Sequence, residues 1–99
     1  SRVRSAVLEP IMRMEVRTPE DYLGTVLKHL NARRALITET QSLPSHILIQ
    51  GTAPLSEMFG FSTDLRSLTQ GRASFTLEPL DYRPIPDNLA DQFVRRRLE

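Results

Sequence analysis

Apolar and charged residues alternate in the segment IMRMEVRT, residues 11 to 18. A period of two is typical of a strand with one buried face, so this segment predicts a first strand. Thr18 then offers a capping hydroxyl, Pro19 suits the first helical position, and two acidic residues follow, which predicts a helix start. That helix extends to about residue 33 along an apolar stripe at helical spacing, formed by Tyr22, Leu23, Val26, Leu27 and Leu30.

The rest of the pattern predicts two more strands, a second helix and a fourth strand. Residues 35 to 41 and 46 to 53 are predicted as a hairpin joined by QSLPS. The second helix is predicted over residues 55 to 69, with Gly60 inside it and Gly71 just after it, where glycine can adopt positive φ. In ASFTLEPLDY, residues 73 to 82, apolar and polar residues alternate again, which predicts the fourth strand.

The order β, α, β, β, α, β predicts an α+β, ferredoxin-like βαββαβ fold, in which a four-stranded antiparallel sheet carries two helices on one face. We assign residues 10–85 to this domain and residues 1–9 to a lead-in from a preceding domain. Residues 86–97 include PDNLADQFVRRR and predict a short C-terminal helix. Residues 98–99 resemble the remnant of a purification tag and are left out of the fold prediction.

Ninety-nine residues suffice for one modest core, and 39% hydrophobic with 25% charged residues is ordinary for a soluble globular domain. The chain contains no apolar run of the roughly 20 residues that a membrane span needs. The net charge of +1 does not by itself indicate nucleic-acid binding, although arginines cluster at residues 33–34 and 95–97. With no cysteine and no signal peptide, we expect a reducing cytoplasmic or organellar compartment.

Candidate chemistry is sparse. His29 and His46 lack a metal-ligand spacing partner and are expected to be surface or structural residues, while Asp64 and Arg66 are expected to form a local ion pair. No GxxxxGK[ST] phosphate loop is present in the sequence. An acylphosphatase would need an anion cradle where this chain has the acidic helix start TPEDYLG, and an RNA-recognition motif would need aromatic residues on its central strands. Both classes are therefore disfavoured.

The segment PLSEMFGFSTDLRSLTQGR, residues 54 to 72, resembles the signature of the C-terminal domain of translation elongation factor G, the ribosomal translocase. The segment LEPIMRMEVRTPEDYLGTVLKHLNARR and the tail PDNLADQFVRRR are also similar to that family, so the resemblance covers most of the chain. Two positions depart from it, because Ala35 and Glu39 stand where the family usually has glycine. The hairpin ETQSLPSH also differs, which suggests a divergent paralogue.

The resemblance implies a ferredoxin-like docking domain with no catalysis, cofactor or membrane contact of its own. Its implied partners are the ribosome, through large-subunit rRNA of the GTPase-associated centre and the stalk-base protein uL11, and the other domains of the parent chain. GTP and Mg²⁺ would bind a G domain elsewhere in that parent. Arginine and lysine neutralise RNA phosphates and amides bond to bases, so candidate contacts follow helix one first and helix two second. They are Lys28, His29, Asn31, Arg33 and Arg34, then Arg66, Gln70 and Arg72.

Structural roles compete with these functional ones. Arg33 and Arg34 would also suit a helix C-terminus without RNA, and polar residues of helix two could instead fix the following turn through bonds to the backbone. Met58, Phe59 and Phe61 are expected to be core or interdomain contacts. Two alternative functions also stay open: a ribosome-recycling paralogue of the same family, and a stand-alone ferredoxin-like RNA- or protein-binding domain.

Overall fold

The computed structural model describes residues 7–86. These residues form a sheet in the order β2-β3-β1-β4, in which every neighbouring pair is antiparallel. Single turns of 3-10 helix at Glu20–Tyr22 and Leu55–Glu57 lead towards the two α-helices. The predicted ferredoxin-like α+β fold is confirmed. Its elements are β1 (Leu8–Thr18), α1 (Leu23–Ala32), β2 (Leu36–Ser42), β3 (Ile47–Pro54), α2 (Phe61–Thr69) and β4 (Ser74–Pro84).

The core lies between one face of the sheet and the two helices. Met14 and Val16 of β1 are fully buried there, and Ile49 of β3 pairs directly with Val16. The helices contribute buried residues to the same cluster, among them Leu30 of α1 and Phe61 of α2. We call the side of the domain that carries the two helices the helix face, and the uncovered side of the sheet, which carries the alternate residues of β1, the open face. The alternation predicted for the first strand is thereby confirmed.

β1 extends further towards the N-terminus than the sequence predicted. It starts at Leu8, inside the lead-in predicted over residues 1–9, and Pro10 lies within it opposite Tyr82 of β4. β1 pairs with β3 only from Ile11 onward, so at Pro10 it has a neighbouring strand on one side alone. Proline is tolerated at such a position because, on the side without a neighbouring strand, there is no hydrogen bond for its missing N–H to make. The predicted C-terminal helix lies, apart from Pro86, outside the described residues.

The predicted cap of the first helix is wrong. Thr18 is the last residue of β1, is fully buried and pairs with Ile47, so the sheet holds it away from the helix. Its hydroxyl donates to the Pro19 carbonyl at 3.1 Å, and no side chain caps the 3-10 turn that precedes α1. α1 ends at Ala32, close to the predicted position.

The second helix is interrupted, contrary to the continuous helix predicted over residues 55 to 69. Gly60 is not inside the helix but precedes α2 as its N-cap, with φ of 80°. That left-handed conformation ends the 3-10 turn and starts the α-helix, and it favours glycine. At the other end Gly71 has the predicted positive φ, 76°, and Gln70 before it is also left-handed, at 55°.

The helices of residues 7–86 are short, and neither has the length and hydropathy of a membrane span.

Candidate functional site

The eight candidate residues all lie on α1, on α2 or in the turns that follow these helices. Five of them are exposed: Lys28 and Asn31 of α1, Arg66 of α2, and Gln70 and Arg72 in the turn after it. The other three, His29, Arg33 and Arg34, are half-buried and bonded within the domain. The structure therefore brings the candidates to one side of the molecule but divides them into an exposed group and a bonded group.

Arg33 joins the end of α1 to the turn between the second 3-10 segment and α2. Its Nη1 donates to the carbonyls of Glu57 and Phe59, and its Nη2 donates to Oδ2 of Asp64 at 2.6 Å. The guanidinium also lies 5.4 Å from the centre of the Phe61 ring, within the range of a cation–π contact. One side chain thus holds three successive parts of the turn, and only 14% of it is exposed.

His29 supports this arrangement from one helical turn earlier. Its Nε2 accepts a hydrogen bond of 2.8 Å from Nε of Arg33. The ring stacks on Phe61 with centroids 5.9 Å apart. The expectation that His29 is structural fits this packing. The ion pair expected between Asp64 and Arg66 is wrong, because Asp64 pairs with Arg33 instead.

Arg34 connects the start of β1 to the 3-10 turn before α2. It donates to Glu9 at 2.8 Å and to Glu57 at 3.2 Å, and the Glu9 side chain is only 5% exposed. Burial disfavours the charged guanidinium, but the hydrogen bonds and charges of Glu9 and Glu57 outweigh it, so the pKa of Arg34 lies above its ordinary value. Arg34 is therefore a permanent cation with two carboxylate partners inside the domain.

The backbone at Arg34 explains how α1 ends without a glycine at position 35. Arg34 has φ of 62°, while the N–H of Ala35 bonds to the Leu30 carbonyl and that of Arg34 to the Asn31 carbonyl. This pair of bonds is the Schellman arrangement, which ends α1 with one left-handed residue. The left-handed position falls on Arg34 itself, so Ala35 needs no special conformation and is buried against the core.

The turn after α2 has a comparable closure. The N–H of Gly71 bonds to the Arg66 carbonyl at 2.8 Å. The Thr69 hydroxyl donates to the Leu65 carbonyl at 2.7 Å and accepts from the Ala73 amide at 3.2 Å. For Thr69, the predicted alternative of fixing the turn by bonds to the backbone is therefore observed. Arg72 leaves this turn with its guanidinium 5.8 Å from the centre of the Tyr22 ring, just before α1.

Phe59 was not among the predicted site residues. It was expected, like Met58 and Phe61, to be a core or interdomain contact. Met58 and Phe61 are buried in the core, but Phe59 is 74% exposed. The difference follows from the interruption at Gly60, because a continuous helix would give these residues other directions. The hydrophobic periodicity gives no sign of this break in the helix. The one sequence feature that could have predicted it is Gly60 itself, because glycine disfavours a helix interior.

Among residues 7–86, no group of three His, Asp or Glu side chains is arranged to hold a metal ion.

Comparison with known proteins agrees with the fold. The family model described as elongation factor G C-terminus matches residues 6–93. A crystal structure of a protein from Thermus thermophilus matches with a TM-score of 0.86 and 33% sequence identity over 94% of this chain. The match covers 14% of that protein, so the chain spans about a seventh of its length.

Proposed function

The chain belongs to the elongation factor G C-terminus family, and from that premise we propose that it is the ribosome-docking domain of a translational GTPase. Its helix face meets large-subunit rRNA of the GTPase-associated centre and the stalk-base protein uL11. The parent protein moves tRNA and mRNA, and it binds GTP and Mg²⁺ in a different domain. The domain carries out no reaction itself. It is a rigid binding domain that anchors one end of the parent protein on the ribosome.

The observation that carries this proposal is the distribution of exposed positive charges that form no ion pair within the described residues. Lys28, Arg66 and Arg72 are exposed on the helix face, and within residues 7–86 none of them forms an ion pair. Arg33 and Arg34, by contrast, are engaged with carboxylates of the domain. Phosphate neutralisation therefore falls to the three exposed cations, and the two adjacent arginines act as scaffold.

Polar groups beside these cations suit folded RNA. The amides of Asn31 and Gln70 are exposed on the same side and can donate and accept at base edges or riboses. Phosphate contacts of lysine and arginine supply affinity and set the orientation, while amide contacts add selectivity. A surface of this kind binds through many modest contacts, and its affinity falls as salt rises.

The experiment measures binding of the chain to purified large ribosomal subunits by fluorescence anisotropy over a range of salt concentrations. The double variant Arg66→Ala with Arg72→Ala should weaken binding at low salt. It should also reduce the slope of log K against log salt by about 2, since each phosphate contact contributes about 1.

The matched control removes two arginines from β1, Arg13→Ala with Arg17→Ala. These side chains are on the open face, and the control changes the net charge equally. It should leave the slope unchanged. Equal effects of the two double variants, or no binding by the unmodified chain, would contradict the proposal.

A further inference from the structure

The Phe59 ring points away from the core, although Met58 before it and Phe61 two positions after it are buried. Phe59 is 74% exposed, the largest exposed fraction among the large hydrophobic residues of the described chain. Its neighbour Met58 and the next aromatic residue, Phe61, belong to the core cluster. A phenylalanine left in water gives up roughly 2 kcal/mol of burial free energy. A partner that covers the Phe59 ring would recover that free energy.

The turn that carries Phe59 is held rigidly. The Met58 amide bonds to the Leu55 carbonyl at 2.9 Å and the Phe61 amide to the Met58 carbonyl at 3.1 Å. Arg33 binds the Phe59 carbonyl itself at 3.1 Å, and Gly60 supplies the left-handed conformation. The exposed ring is therefore presented by a fixed backbone rather than by a loose loop, which lowers the entropy lost when it binds a partner.

The surroundings of Phe59 are polar and free of uncompensated negative charge. The two carboxylates near the turn, Glu57 and Asp64, are paired with Arg34 and Arg33. The exposed residues that follow Phe59 are small: Gly60, Ser62 and Thr63. A protein-binding hot spot usually lies at the centre of an apolar patch, whereas nucleic-acid interfaces are more polar and more positive. A single, rigidly held aromatic ring on a polar surface without uncompensated negative charge fits a nucleobase.

We propose that Phe59 stacks on an unpaired base of the RNA to which the helix face docks. This inference rests on the proposed function and makes it more specific, because it adds a base contact to the phosphate contacts of Lys28, Arg66 and Arg72. Aromatic side chains that stack on splayed-out bases are a common means of recognising folded RNA. Stacking tolerates any base, since every base has a π-face.

The test uses the absence of tryptophan from the chain. Phe59→Trp places one fluorescent indole at the proposed contact, and Tyr82→Trp places one at a site on β4 with a similar exposure, 69%. Each variant is titrated with purified large ribosomal subunits and with protein-free large-subunit rRNA. Phe59→Leu, which keeps apolar bulk but loses the aromatic face, is measured beside them by anisotropy, and circular dichroism checks that every variant is folded.

Stacking predicts that both the subunits and the rRNA quench the indole of the Phe59→Trp variant and leave that of the Tyr82→Trp variant unchanged. It also predicts that Phe59→Leu weakens binding by roughly tenfold. A blue-shifted, unquenched spectrum of Phe59→Trp on subunits would place the ring in an apolar protein pocket and overturn the inference. Unchanged emission of Phe59→Trp with binding retained would overturn it and leave the docking proposal standing. No binding by the unmodified chain would overturn both.

Discussion

Nη2 of Arg33 donates to Oδ2 of Asp64 at 2.6 Å, which joins residues 31 positions apart and connects the end of α1 to the first turn of α2. The same guanidinium holds the carbonyls of Glu57 and Phe59. A cation used in this way stabilises the helix layer and is not free to neutralise a phosphate. Arg33 faces inward, but its bonds fix the positions of the turn and of α2, whose exposed residues form the surface of the helix face.

Replacing Arg33 with lysine should destabilise the domain while preserving charge. A lysine ammonium has three donors on a point charge and cannot span two carbonyls, a carboxylate and an imidazole as the planar guanidinium does. We expect Arg33→Lys to lower the free energy of unfolding by about 2 kcal/mol, measured by urea denaturation. The control Arg17→Lys, on the open face, should change it by less than about 0.5 kcal/mol. Equal stability of the two variants would show that the Arg33 contacts contribute little.

Glu9 and Arg34 should be energetically coupled. The Glu9 carboxylate is almost fully buried, so Glu9→Gln leaves a cation with one strong acceptor fewer and should cost about 1–3 kcal/mol of unfolding free energy. Arg34→Gln leaves the buried carboxylate without its cation and should cost a similar amount. The double variant should cost less than the sum of the two. Additive effects in this double-mutant cycle would rule out a direct interaction.

Two glycines should respond to alanine in opposite directions. A Cβ on Gly51 of β3 would lie 2.0 Å from the Leu36 carbonyl oxygen of β2, so Gly51→Ala must push these strands apart. We expect a loss of about 2 kcal/mol or more in unfolding free energy. A Cβ on Gly24 of α1 meets no atom within 4 Å, so Gly24→Ala should raise stability by about 0.5–1 kcal/mol through helix propensity. Thermal denaturation measures both, and a stabilised Gly51→Ala would contradict the β2–β3 geometry.

Local patterns were sufficient to predict the four strands, but not the start of β1 or the ion pairs. The alternation in β1 determines which of its side chains face the helices, because strand residues have a period of two, and these faces are observed as predicted. Arg33 and Arg34, by contrast, were indistinguishable from RNA-binding residues at the end of a helix. Their partners Glu9 and Asp64 are 25 and 31 positions away, and no local pattern encodes a pairing over that distance.

The turn before α2 shows the same limit at shorter range. Gly60 was predicted to lie inside the second helix. Its left-handed φ instead separates the 3-10 turn from α2, and contacts from Arg33 accompany it. The exposure of Phe59 follows from that break. Propensity alone favours a continuous helix over residues 55 to 69, and tertiary contacts override it.

The most direct test of the central claim is to ask which face of the domain large ribosomal subunits protect. The chain contains no cysteine, so Thr63→Cys on α2 and Thr76→Cys on β4 each introduce one thiol at an exposed threonine. Thr63 lies on the helix side, and Thr76 pairs with Glu15 on the open face. The rate of maleimide labelling is measured with and without saturating subunits. Docking through the helix face predicts slower labelling at position 63 and an unchanged rate at position 76, whereas protection of position 76 alone would contradict the account.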